Sequence, residues 1–227
     1  MMRVALVSAN LGAYDPPADW PDQIVPDGVT VDVHRFTDAN FPPRHKAMTS
    51  RLQCGIPKWF GPDLVRGADV YLWLDASVIP TPIMVQWFLT HLDEADIAVF
   101  QHPARRTIRE EYEFMATRMA RPGERYLTGR YQGEWLHEQY SRIAADPTYE
   151  DSRLYASTAF AYRPTAKIRA AFWDIWAAKA RWLLHDQLWF PYALSKHLCD
   201  VNVIEDNYLN CPALRYARND TRKKGRA

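Results

Sequence analysis

Two aspartates stand where a carboxylate needs either a partner or a task. Asp75 ends the apolar run Val70-Tyr71-Leu72-Trp73-Leu74 and is followed by Ala76 and Ser77. Asp186 lies in His185-Asp186-Gln187, among apolar and aromatic residues, where an unpaired carboxylate would be expensive to bury. A carboxylate at a strand end can hold Mg²⁺ or Mn²⁺, hard cations that prefer oxygen ligands, with Ser77 and a water beside it. Asp186, as a base, could take the proton of an acceptor hydroxyl that is about to attack. The plainer alternatives are local: Asp75 as the cap of the next turn, and Asp186 as a helix-terminal carboxylate favoured by the macrodipole.

Upstream of Asp75 lie Arg44, Lys46, Arg51 and Lys58. Scattered positive charge usually means a solvated helix face. Read together with Asp75, these residues could instead grip a diphosphate, since Arg offers a bidentate fork and Lys a point charge. The chain has only 9 glycines and no Gly-rich phosphate loop, dinucleotide-binding turn or nucleophile elbow, so side chains would have to do the work of holding phosphate. His102 and His197 suit a metal or a phosphate oxygen, although a lone histidine is more often a satisfied structural one.

The elements that must position these groups read as an α/β pattern. Met2 to Ser8 and Val29 to Phe36 read as strands, separated by a proline-rich loop. Arg44 to Trp59 reads as a helix and Val70 to Leu74 as a buried strand that places Asp75 at its carboxyl end, the edge where open α/β sheets bind ligands. Ile83 to Leu92 then reads as a helix and Ile97 to Phe100 as a strand leading to His102-Pro103. Thr107 to Tyr140 is charged, with apolar residues at helical spacing, and a helical insertion is expected over 107–145. Leu154 to Tyr162 reads as a strand and Ala166 to Leu183 as an amphipathic helix. A helix starting near Asp186 follows, and Val201 to Ile204 is expected to be the last strand.

Bulk properties bound the reading. With 227 residues and 48% hydrophobic content, one domain is expected over 1–217, with a mobile basic tail at 218–227. A formal charge of +1 excludes global attraction to nucleic acid or an anionic membrane. Cys54, Cys199 and Cys211 fit neither a disulfide framework nor a paired zinc motif. With no signal segment and no spanning run, the cytoplasm is the expected compartment. Most of the 9 Trp and 12 Tyr are expected in the core.

Several segments, in order, resemble the TOD1/MUCI70-type glycosyltransferase-like family of GT-A glycosyltransferases. They are Tyr14-Asp15-Pro16, Phe36-Thr37-Asp38, Arg44 to Lys58, Tyr71 to Asp75, His102-Pro103 with Glu111, Tyr162-Arg163, Trp173 and Trp176, and Asp186-Gln187 with Phe190. The resemblance implies a GT-A-like, Rossmann-like fold: a mixed, mainly parallel sheet flanked by helices. It further implies transfer of a hexose or similar sugar from a nucleotide-sugar donor, UDP-linked by expectation, to a hydroxyl acceptor. Asp75 takes the place of the metal-binding motif, for Mn²⁺ or Mg²⁺ with Ser77, and Asp186 that of an acceptor-side carboxylate. Asp38, Arg44, Lys46, Arg51, Ser77, His102 and Gln187 make up the donor side. The family tends to have an Arg before Asp-Gln, where this chain has His185. The acceptor stays open among a glycan, a protein side chain, a small molecule and a hydroxymethylated DNA base. Arg105, Arg106, Arg109, Arg118, Arg121, Arg125 and Arg130 offer DNA a local basic surface. An inactive nucleotide- or sugar-binding module and a nucleotidyltransferase are the competing readings.

Overall fold

A computed structural model describes residues 1–16, 18–41 and 48–216. Arg44 and Lys46, and the tail expected at 218–227, lie outside these described residues. The first half of the chain contributes β1 (Met2–Asn10), β2 (Val29–Thr37), α1 (Ser50–Trp59), α2 (Gly61–Leu64), β3 (Val70–Asp75), β4 (Val78–Pro80), α3 (Met84–Leu92) and β5 (Ile97–Gln101). The second contributes α4 (Ile108–Met119), α5 (Thr128–Tyr131), α6 (Leu136–Ala144), β6 (Tyr155–Tyr162), α7 (Ala166–Arg181), α8 (Asp186–Lys196), β7 (Val201–Ile204) and β8 (Leu214–Tyr216).

Six strands form one sheet in the order β2-β1-β3-β6-β5-β7. β2, β1 and β3 run parallel, β6 runs antiparallel to both β3 and β5, and β7 is parallel to β5. This is the mixed, mainly parallel sheet flanked by helices that the sequence led us to expect. Its central strands are near-continuous apolar runs because both faces are covered. Along β1 and β3, Ala5, Val7, Tyr71 and Trp73 face one core, and Leu6, Leu72 and Leu74 the other. β6 alternates the same way. Phe160 and Tyr162 join Trp59, Phe172 and Phe190 beneath α1, α7 and α8, whereas Ala159 and Ala161 face the core that holds Phe88 of α3. Trp59 stacks on Phe160 at 5.7 Å and meets Phe172 edge-on at 5.0 Å, so much of the aromatic content does fill the core.

Val201–Ile204 is a strand but not the last one: β8 follows and pairs antiparallel with β4 in a separate two-stranded ribbon. Neither is long enough to show a period, and Pro80 sits in β4, as an edge position permits. The helix expected from Arg44 begins, among the described residues, at Ser50, where the Thr49 hydroxyl accepts the Leu52 N–H. Helices α4, α5 and α6 fill the connection from β5 to β6, and α4 and α6 pack on α8. Among the described residues no helix is long and apolar enough to cross a membrane.

Two irregularities shape the carboxyl edge of the sheet. The β5–β6 register slips between Val99 and Phe100, from Val99 opposite Phe160 to Phe100 opposite Ala156, so Ser157, Thr158 and Ala159 leave the β5 ladder. Gly12, just past β1, has φ +76°, and a Cβ there would lie 2.7 Å from Ser50 Oγ, so this turn needs glycine twice over.

Candidate active site

The chain leaves β1 for β2 on one side and places β3 on the other, which makes the carboxyl ends of β1 and β3 the switch point of the sheet. A cavity of about 310 Å³ opens there. Its walls come from the ends of β1 and β3, the looped-out Ser157 and Thr158, α1, α5, and the α7–α8 junction. Asn10 shapes the β1 side: its amide donates to the Asp15 carbonyl at 2.6 Å and accepts the Asp15 N–H at 3.1 Å, folding Tyr14 and Asp15 onto the cavity.

Strand alternation puts Asp75 on the same face as Trp73 and Tyr71, toward α1 and α8. The Trp73 indole N–H donates to Asp75 Oδ1 at 2.8 Å. On the opposite wall Asp186 opens α8. Lys179, from α7, donates to its Oδ1 at 2.6 Å, and Lys58, from the last turn of α1, to its Oδ2 at 2.8 Å. Lys58 also reaches Asp75 Oδ1 at 3.4 Å and Ser157 Oγ at 3.3 Å. The two lysines converge because α1 and α7 approach closely at Gly55, where a Cβ would come within 2.9 Å of the Trp176 ring. The side chains of Lys58, Lys179 and Asp186 are 6%, 8% and 10% exposed, but that of Asp75 is 36% exposed to the cavity.

These surroundings push the two carboxyls apart. Burial alone would raise the pKa of Asp186, but the ammonium groups of Lys179 and Lys58 outweigh it and hold the carboxyl well below the usual range. Burial is also the largest influence on Asp75, and there it prevails over Lys58 and the Trp73 N–H, so its pKa is raised; the side chain's 36% exposure moderates the rise. Lys58 is lowered by burial and raised by Asp186 and Asp75, with a net rise. Asp186 is thus firmly ionised, and Asp75 is the carboxylate that binds a proton more readily.

A divalent cation fits these residues poorly. Among the described residues no group of three or more His, Cys, Asp and Glu converges on a point. Asp75 Oδ1 already accepts two donors, and an ion placed there would face the Lys58 ammonium. Two unit charges 4 Å apart repel by about 4 kcal/mol at an effective dielectric near 20, and a divalent ion doubles that.

Of the other residues singled out by sequence, Arg51, Ser77 and Gln187 line the cavity. Arg51 donates to the Arg130 carbonyl at 2.9 Å and lies 4.9 Å over the Tyr131 ring. Asp38 stands outside the wall and accepts the Gly12 N–H at 2.7 Å, tying the β2 end to the β1 turn. His102 is likewise not at the cavity. It is buried behind it, its Nδ1 accepting the N–H groups of Ala104 at 3.2 Å and Arg105 at 3.0 Å.

Between His102 and the cavity runs a buried polar chain. Glu111, 2% exposed, is bonded to Arg105 and accepts from His185 Nε2 at 2.9 Å. His185 Nδ1 in turn lies 3.2 Å from the Tyr131 hydroxyl, within hydrogen-bond reach. Burial would raise the Glu111 pKa, but His185 and Arg105 bring it down to about 2. At the mouth, the Arg130 guanidinium lies 4.8 Å over the Tyr126 ring and 5.8 Å over that of Tyr14. Lys179, Ser157 and Tyr131 were not read as site residues, and Arg130 was read only as part of a basic surface for DNA. Lys179 alone carried a signal, as a charge in the apolar stripe Ile168, Phe172, Ile175 of α7.

His102 yields a pH prediction. Burial, only partly opposed by Glu111, lowers its pKa from 6.5 to about 4. The unfolded chain therefore binds a proton in this window that the folded chain refuses, so stability falls as pH drops from 6.5 toward 4. Urea unfolding is expected to show a loss of about 2 kcal/mol between a pH of about 7 and about 5. In His102→Asn, whose side-chain oxygen can accept the same two amides, that slope flattens; an unchanged slope would dismiss His102 as its source.

No family model and no curated protein sequence matches the chain. Among solved structures it is similar to a glycosyltransferase involved in the glycosylation of the major capsid of PBCV-1, at 7% identity and a TM-score of 0.47, covering 99% of this chain and 96% of that one. It is also similar to the bifunctional glycosyltransferase WbbM, at 12% identity and a TM-score of 0.41. That match covers 77% of this chain but only 28% of WbbM.

Proposed function

We propose that this chain is a glycosyltransferase that moves a sugar, a hexose in the narrower reading, from a nucleotide-sugar donor to a hydroxyl acceptor. The observation that carries the reading is the centre at the β1/β3 switch point, where two buried lysines and two aspartates of opposed pKa shift meet. A nucleoside diphosphate gains negative charge as it leaves the sugar, and cations already in place stabilise that charge without reorganising. Lys58 and Lys179 are such cations, with Arg51 in the wall. In the step itself, a lone pair of the acceptor oxygen forms the bond to the anomeric carbon. The bond from that carbon to the diphosphate oxygen breaks, its electron pair leaves with the diphosphate, and the acceptor proton passes to Asp75. Asp186 holds both lysines. No step is routed through a metal ion.

The mouth of Tyr14, Tyr126 and Arg130 suits the faces of a base or a sugar. Asp38, outside the wall but tied to the β1 turn that borders the cavity, is proposed to meet the ribose, and Ser77 and Gln187 the donor sugar. A UDP-linked donor and kinship with the TOD1/MUCI70-type family belong to the same proposal. Arg105, Arg109 and Arg118 are paired with Glu111, Glu113 and Glu124, which favours an acceptor other than DNA.

A thermal-shift panel of UDP-, GDP-, CMP- and dTDP-sugars tests the reading. A ligand at about 100 times its Kd stabilises the folded state by about 2.7 kcal/mol. One donor class, UDP-linked, is expected to give that shift and Lys179→Met to lose it; no shift with any donor would sink the proposal.

A further inference from the structure

Among the described residues, Lys58 is the lysine of the centre that touches both aspartates. Its ammonium has three protons to donate, and three acceptors surround it: Asp186 Oδ2 at 2.8 Å, Ser157 Oγ at 3.3 Å and Asp75 Oδ1 at 3.4 Å. The rings of Trp59 and Trp73 flank it at 5.1 and 5.6 Å. It is almost fully buried, and α1 is held against α7 by the close approach at Gly55. With Lys179 on Asp186, two positive charges face two negative ones among the described residues of this centre.

We propose that the Lys58 ammonium permanently occupies the place between Asp75 and Asp186 that a divalent cation would otherwise take, so that this centre engages a diphosphate without metal. The diphosphate half rests on the glycosyltransferase reading; the cation half does not. A metal at this place would need carboxylate oxygens at about 2.0–2.6 Å, and the ammonium already holds them. If the lysine stands in for the ion, its removal should create the metal site that the native chain lacks. Lys58→Ala leaves two facing carboxylates, a serine hydroxyl and open space, with only Lys179 to balance them.

The test is Mn²⁺ uptake, followed as loss of the free-ion paramagnetic signal, on the full chain without nucleotide. Wild type is expected to leave Mn²⁺ free, and Lys58→Ala to take up one equivalent and gain thermal stability from it. Lys58→Arg, which keeps the charge, is expected to behave as wild type. Should the alanine variant not fold, the wild-type result still decides: one bound Mn²⁺ that Asp75→Asn releases would overturn the proposal. Calorimetric titration with UDP is expected to give affinities in EDTA and in Mg²⁺ that agree within about twofold, and a loss of about tenfold or more in EDTA would overturn it too. If UDP binds in neither buffer, the glycosyltransferase reading fails, while Mn²⁺ uptake still settles what Lys58 replaces.

Discussion

Asp186→Asn is expected to lower the unfolding midpoint by roughly 10 °C. Removing one partner of a buried ion pair costs about 3–5 kcal/mol, because the charge left behind stays buried without compensation. For a chain of this length each kcal/mol is worth about 2–4 °C. Asn at 186 strips Lys179 of its carboxylate and leaves Lys58 a single carboxylate, Asp75 at 3.4 Å. The comparison is Asp63→Asn, which breaks the surface pair Arg169–Asp63, whose side chains are 46% and 64% exposed. Such pairs contribute about 0–1 kcal/mol, so scanning calorimetry should show only a few degrees. Equal, small shifts in both variants would mean that Asp186 does not hold the lysines.

Acidity supplies an independent check. A carboxylate whose folded pKa is depressed stabilises the fold above its ordinary pKa of 3.8, and that contribution fades as pH falls below it. The gap between wild type and Asp186→Asn should therefore narrow in acid. At the alkaline end Lys58, with its pKa raised from 10.5, contributes fully below that value and progressively less as pH rises through the folded one.

What was legible in the sequence was what depends on neighbours along the chain. Val70 to Leu74 announced a buried strand because five consecutive apolar residues leave few other solutions, and the strand's end then fixed Asp75 at the binding edge. Asp186 announced itself as a carboxylate in apolar company. Its pairing with two lysines did not: Lys58 was read only as a diphosphate ligand and Lys179 not at all, because they are 128 and 7 residues away and only the α1–α7 approach brings them together. The antiparallel sense of β6 and its slip beside β5, which place Ser157 against Lys58, depend on pairing between distant segments. His102 was read toward the cavity because it follows a strand. Its ring is instead taken up by the following turn, where Nδ1 accepts the N–H groups of Ala104 and Arg105. The ribbon of β4 and β8 was too short to give any periodic signal.

The largest loss of activity is expected from Asp75→Asn. Asn has the shape of Asp and keeps an oxygen that can accept from the Trp73 indole at 2.8 Å and from Lys58 at 3.4 Å, so the lysines and the cavity wall should stay in place. What is lost is the ability to take a proton. General-base catalysis is worth about 10²–10⁴ in rate, and kcat should fall by about that factor while donor affinity holds within about threefold. The pH profile should carry the same signature. Asp75 must be ionised to act, and burial raises its pKa above 3.8, so the wild-type rate should decline on the acid side with a midpoint above 3.8; the residual rate of Asp75→Asn should lack that limb. Asp186 offers the contrast within one site. Held between two ammonium groups it is a weak base, and its substitution should act through the lysines, weakening donor binding as well as turnover. A variant at 75 that turns over normally, beside one at 186 that binds donor normally and is inert, would reverse the two roles and make Asp186 the base.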